Sequence, residues 1–132
     1  MGSPAHKSKV LIADDSETDI FFLTRAFRTS GLDLSLATVQ DGQQAMDYLE
    51  QEQPCPDLVL LDLKMPKRDG FDVLKWIQTQ PDLAKLTVAV VSSSDLDEDK
   101  RLAAALGAKA YFVKTPDFQK LAADVEAQFL KA

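Results

Sequence analysis

The chain predicts an α/β fold of the flavodoxin-like (βα)5 kind, a three-layer sandwich around a parallel five-stranded sheet of order 2-1-3-4-5. Three observations predict it. Five short apolar runs each lead into an amphipathic stretch, and that rhythm favours parallel strands joined by right-handed crossovers. The run Leu58-Val59-Leu60-Leu61 is apolar at every position, as in a strand buried on both faces. The length of 132 residues suits one domain of five such units and leaves no room for a second. A flexible lead-in over residues 1–7 and one domain over residues 8–132 are expected.

The elements follow in order. Lys9 to Ala13 reads as the first strand, and Ser16 as the cap of a helix with Ile20, Leu23 and Phe27 on one face, stopped by Gly31. Leu34 to Val39 is a second strand. Asp41-Gly42 turns the chain into a helix marked by Ala45, Met46 and Leu49, which Pro54-Cys55-Pro56 breaks. Asp57 to Asp62 is the third strand, and Lys67-Arg68-Asp69-Gly70 a turn that starts a helix on Leu74 and Ile77, ended by Pro81. Leu86 to Val91 is the fourth strand. Asp95 or Asp97 is expected to cap the helix that runs through Leu102 and Leu106 to Gly107. Ala110 to Val113 is the fifth strand, and Phe118, Leu121, Ala122, Val125 and Phe129 form the stripe of the last helix.

Composition removes several classes of function. A net charge of −6, with no basic helix or arm, argues against nucleic acid as a partner. No apolar stretch approaches the ~20 residues that cross a bilayer, and residues 1–7 lack the apolar core of an export signal. Cys55 is the only cysteine, so no intrachain disulfide forms, and a cytoplasmic location without membrane contact is expected. Cys55 reads as a loop residue and His6 as idle in the tail.

Polar residues gather at one rim. The first, third, fourth and fifth strands end on Asp14-Asp15, Asp62, Ser92 and Lys114. In an open parallel sheet, the carboxyl ends of the strands are where ligands and chemistry sit. Three carboxylates on one rim repel one another, and a divalent cation relieves this; hard oxygen ligands suit Mg²⁺. Asp15 and Asp62 are candidate ligands, with a backbone carbonyl just after Asp62. Ser92 is placed to donate to one phosphoryl oxygen and Lys114 to pair with another, the arrangement phosphoryl transfer needs. An aspartate is also a known phosphoryl acceptor. Each residue alone has a plainer reading: Asp14-Asp15 as a turn or cap, Asp62 as a solvated strand end, Ser92 as a turn hydroxyl, Lys114 as a surface charge. Their joint placement at strand ends favours a site.

With these residues in view, the sequence resembles the receiver domain of bacterial two-component response regulators, from about Ser8 to Leu130. The likeness rests on Asp14-Asp15 after the first strand, on Asp62 in LVLLDLKMPKRDGFDVL with Met65-Pro66 and Asp69-Gly70, on Ser92 in VAVVSSS, and on Lys114 in GAKAYFVKTP. The resemblance implies Asp62 as phosphoacceptor, Asp14 and Asp15 as the Mg²⁺ site with the backbone carbonyl of Lys64 as a further ligand, Ser92 as the switch hydroxyl, Lys114 as the lysine that pairs with the phosphoryl group, and Tyr111 as the aromatic switch. Three positions depart from the family pattern. Thr115 stands where proline usually follows the lysine, and Lys64 and Ser94 stand two places after Asp62 and Ser92, where side chains influence the phosphoryl lifetime.

The resemblance further implies a phosphorylation-activated signalling module that is not an enzyme on external substrates. Its partners would be a sensor histidine kinase or phosphotransfer protein and a downstream protein, reached through the face of the fourth helix, fifth strand and fifth helix. With no output domain after Leu130, a stand-alone receiver is expected, and the stretch DDSETDIFFLTRAF leans toward the group partnered with phytochromes. A homodimer through the same face is an open alternative to a monomer. Two other readings stand beside this one: a degenerate receiver that docks constitutively, and an aspartyl-phosphate hydrolase of the haloacid dehalogenase type. The hydrolase usually carries a second aspartate where this chain has Lys64.

Overall fold

A computed structural model describes residues 8–52 and 54–130; the expected lead-in over residues 1–7 lies outside them. Among the described residues the order is β1 (Ser8–Ala13), α1 (Glu17–Arg28), β2 (Leu34–Val39), α2 (Gly42–Gln51), β3 (Leu58–Leu61), α3 (Gly70–Gln78), β4 (Val88–Ser92), α4 (Asp97–Ala105), β5 (Ala110–Val113) and α5 (Phe118–Phe129). The strands form one parallel sheet of order β2-β1-β3-β4-β5.

Strand alternation sends side chains to two cores. Leu11, Val59, Leu61, Val88 and Val90 pack with Val73, Leu74 and Ile77 of α3 and with Ala45 and Leu49 of α2. Val10, Ile12, Leu58, Leu60, Ala89 and Val91 pack on the other face with Leu23 and Phe27 of α1 and Leu121 and Val125 of α5. All four residues of β3 and all five of β4 are buried. That is why these runs carry no polar alternation.

Local chemistry sets most helix starts. Ser16, Asp41 and Asp117 each accept a backbone hydrogen bond three residues on, and Asp69 forms a reciprocal capping box with Asp72. Helix α4 departs from the expectation. Neither Asp95 nor Asp97 caps it; Leu96 is the N-cap residue and makes no side-chain bond. Asp95 is drawn away to Lys100 at 2.5 Å, and Ser94 Oγ accepts from Leu96 N at 3.3 Å instead. Pro81 also does not end a helix. Helix α3 stops at Gln78, and Pro81 opens a single 3-10 turn to Leu83, the position where a missing N–H is harmless. That turn delays β4 to Val88. Cys55 is in a loop as expected, half-buried against the α2–α3 core.

Candidate functional site

Three ladder bonds bring the strand ends together. Asp62 N donates to Ala13 O at 2.9 Å, which sets the residue after β3 beside the end of β1. Asp14 N donates to Val39 O at 3.0 Å, and Lys114 N donates to Ser92 O at 2.8 Å. Each polar residue thus leaves the sheet one step past a strand's last residue or, for Ser92, at that last position.

The carboxylates converge. Asp14, Asp15 and Asp62 each offer an oxygen, and these oxygens lie within 4.8 Å of one another. Asp14 and Asp62 are buried, while Asp15 faces solvent. Lys114 Nζ reaches Asp14 Oδ2 at 2.6 Å, Asp19 Oδ2 at 2.9 Å and Asp62 Oδ2 at 3.1 Å. Asp14 Oδ1 accepts from Ser16 N at 2.9 Å, so the turn reading and the site reading of this aspartate both hold. Among the described residues, Asp62 Oδ1 accepts only a long bond, 3.4 Å, from Lys64 N.

These surroundings decide the charges. Burial pushes the Asp62 carboxyl up to about 6, with Lys114 pulling it back and Asp14 adding to the rise. Burial also opposes the Lys114 ammonium, yet its bonds to Asp14 and Asp19 and the charges of Asp62 and Asp14 hold it above the ordinary lysine value. One cation is therefore shared by three aspartates, and Asp15 beside them has no cationic partner among the described residues. A surplus of hard, close-set oxygens fits a divalent cation. The Lys64 carbonyl accepts no hydrogen bond from the described residues, so it too is available as a ligand.

Ser92 is wholly buried at the end of β4, and its Oγ accepts from Ser94 N at 3.1 Å. Among the described residues its hydroxyl bonds neither Asp62 nor Lys114; only the Ser92 carbonyl accepts from Lys114 N. Tyr111 sits on β5 opposite Val90 and donates to Ser94 O at 2.8 Å. The two switch candidates therefore meet at Ser94, apart from the aspartate cluster.

The loop from Asp62 to Gly70 is tightly held. Arg68 N donates to Pro66 O at 2.7 Å across Lys67, whose φ of 66° makes this a γ-turn. Gly70 passes so close to the Asp62 carbonyl and to Leu63 that no Cβ fits. A groove of about 630 Å³ lined by Asp15, Lys64, Met65 and Asp99 opens beside the cluster. Another cavity of that volume, between α1 and β2, holds none of the site residues.

Asp19 is the participant that sequence reasoning missed. It lies in the first turn of α1, where acidic residues are favoured by the helix dipole whatever their function. The only available signal was its spacing of one helical turn from Asp15.

Comparison with known proteins defines the class. The profile of the response regulator receiver domain matches residues 10–126, and the chain belongs to this family. Response regulator Rcp1 of Synechocystis sp. is 33% identical over 117 residues, covering 85% of this chain and 80% of that protein. A probable chemotaxis protein CheY of Rhizobium etli is 34% identical over 127 residues, covering 96% of each. The phosphorylated cyanobacterial phytochrome response regulator RcpA superposes with a TM-score of 0.89 at 31% identity, covering 96% of each chain. The Mn²⁺-bound form of Rcp1 superposes with a TM-score of 0.86 at 32% identity, covering 95% of this chain and 96% of that one.

Proposed function

We propose that this receiver domain is a phosphorylation-controlled signalling module in which Asp62 accepts a phosphoryl group from a phosphohistidine on a sensor histidine kinase or phosphotransfer protein. The observation that carries the reading is the meeting of Asp62, Lys114, Asp14 and Asp15 at one rim. In the transfer, the bond from phosphorus to the imidazole nitrogen breaks and a bond to an Asp62 oxygen forms. The histidine leaves neutral, keeping one ring proton. Lys114 pairs with a phosphoryl oxygen, and Ser92 turns its hydroxyl from Ser94 N toward another.

Asp14, Asp15, Asp62 and the Lys64 carbonyl would hold Mg²⁺, the ion this all-oxygen set favours. When bound, the ion offsets the charge that builds up between the phosphoryl group and the carboxylates. The Mn²⁺ in the Rcp1 structure supports a divalent cation at this kind of site.

Phosphorylation adds about −1.5 to −2 of charge. Drawing Ser92 inward strains its bond with Ser94 N, and Ser94 also carries the Tyr111 hydroxyl and, through its own Oγ, Asp99 of α4 at 2.6 Å. The change at Asp62 thus reaches the face of α4, β5 and α5, where a downstream protein or a second copy docks. That is a local charge event biasing a two-state element. Likeness to RcpA and Rcp1 favours a phytochrome-type sensor as the source of the signal. The module acts in the cytoplasm and turns over no external substrate.

The test is incubation with acetyl phosphate and Mg²⁺, followed by intact mass. The chain should gain one phosphoryl group, and both Asp62→Asn and chelation of the metal should abolish the gain. Equal labelling of the Asp62→Asn variant would falsify the assignment.

A further inference from the structure

Resting on the phosphoacceptor reading above, a further role falls to Asp19. The Lys114 ammonium donates to Asp19 and Asp62 and is ion-paired with Asp14 as well. A phosphoryl group on Asp62 meets a lysine that is already occupied, so pairing with it is an exchange and one carboxylate must let go.

The three carboxylates are not equally placed to do so. Asp62 carries the phosphoryl group itself. Asp14 has a side chain only 5% exposed, is tied to Ser16 N through its other oxygen, and belongs to the cluster that fits a cation. Asp19 stands outside that cluster. Its side chain is 29% exposed, and it rides on the first turn of α1, where the helix N-terminus favours its charge with or without Lys114. Released from the lysine, it regains water at small cost.

We propose that Asp19 is a positioning residue acting through Lys114, holding the ammonium at the rim before phosphorylation and competing with the phosphoryl group for it afterwards. Two effects then share a sign. The lysine–phosphoryl pair forms at the expense of the lysine–Asp19 pair, and the Asp19 charge repels an anion arriving at the rim. Asp19 thus acts as a brake on occupancy of Asp62, peculiar to a chain that carries a carboxylate at this point of α1.

The test uses the full chain, saturating Mg²⁺ and beryllofluoride, a phosphoryl mimic, with binding followed by calorimetry. Asp19→Asn should bind beryllofluoride roughly fivefold more tightly than wild type, the size of one part-exposed ion pair. Its Mg²⁺ affinity should stay within about twofold, since a part-exposed charge outside the ligand set changes little. Asp19→Glu, which keeps the charge, should bind beryllofluoride like the wild type. A residue that merely supports α1 would weaken binding when replaced, never strengthen it. Unchanged or weaker beryllofluoride binding by Asp19→Asn, with Mg²⁺ affinity intact, overturns the brake and leaves the phosphoacceptor reading standing. Failure of the wild type to bind beryllofluoride at all overturns both.

Discussion

Asp62 combines burial with a carboxylate charge. Its carboxyl titrates near 6 in the folded chain against an ordinary value of 3.8. Between these values the folded state holds a proton that the unfolded chain has lost. Stability of the metal-free protein therefore falls as pH rises through that window, and the full cost is present above about pH 6. Two units correspond to about 3 kcal/mol; with the side chain only 8% exposed, little of this is screened. Urea unfolding in chelator at pH 4.5 and pH 7 should show the loss in the wild type and not in Asp62→Asn, which should be the more stable protein at pH 7. An identical pH dependence in the variant would assign the effect elsewhere. Mg²⁺ needs the ionised carboxylate, so its affinity should weaken below pH 6, by up to about tenfold per unit. At this scale, the candidates Asp14, Asp15, Asp62, Ser92 and Lys114 stood out in the sequence because each lies at or just past the end of an apolar run. That the Lys114 ammonium is divided among three carboxylates did not, since a side chain from α1 joins only in three dimensions.

Among the elements, the β3–α3 loop has most to do with geometry at the site. Lys67 adopts a left-handed φ that costs a residue with a Cβ of order 1 kcal/mol, and Gly70 leaves no space between the helix start and the Asp62 carbonyl. Lys67→Gly should therefore raise stability by about 1 kcal/mol in denaturant unfolding. Gly70→Ala must push the Asp62–Leu63 backbone aside; its Mg²⁺ affinity should drop by roughly tenfold or more, the scale set by misplaced metal ligands. Wild-type Mg²⁺ binding by Gly70→Ala would show that the close approach does not position the ligands. The motif Asp69-Gly70 was readable as a helix start because its capping chemistry is local. The start of α4 was misread because Asp95 had a competing partner, Lys100, one helical turn and more away. The 3-10 turn at Pro81 was misread because proline marks a break in a helix but does not specify the structure beyond that break.

For the whole molecule, the sheet order came from handedness and alternation alone, since parallel crossovers leave few arrangements of five βα units. The two cores arise from the pleat, and they make a prediction of their own. Phe27 is wholly buried beneath α1 and Leu74 beneath α3, on opposite faces of the sheet. Phe27→Ala should cost about 3–5 kcal/mol and Leu74→Ala about 2–5. With no shared neighbours, the two losses should add in the double variant to within about 0.5 kcal/mol. A marked departure in chemical unfolding would mean that the sheet transmits strain between its faces. No strand pattern could reveal how the junctions on the rim bond to one another, because that depends on loop paths.

Junctions of strands and helices from separate parts of the chain converge on the side chain at position 62. Borohydride trapping probes that convergence, because it reduces an aspartyl phosphate to homoserine. After treatment with acetyl phosphate and Mg²⁺, sequencing of the peptide through Leu58–Lys64 should find homoserine at position 62, and none when Mg²⁺ is withheld. Homoserine at Asp14, Asp15 or Asp69 instead, or at position 62 without any metal, would rule out a metal-dependent phosphoacceptor at Asp62.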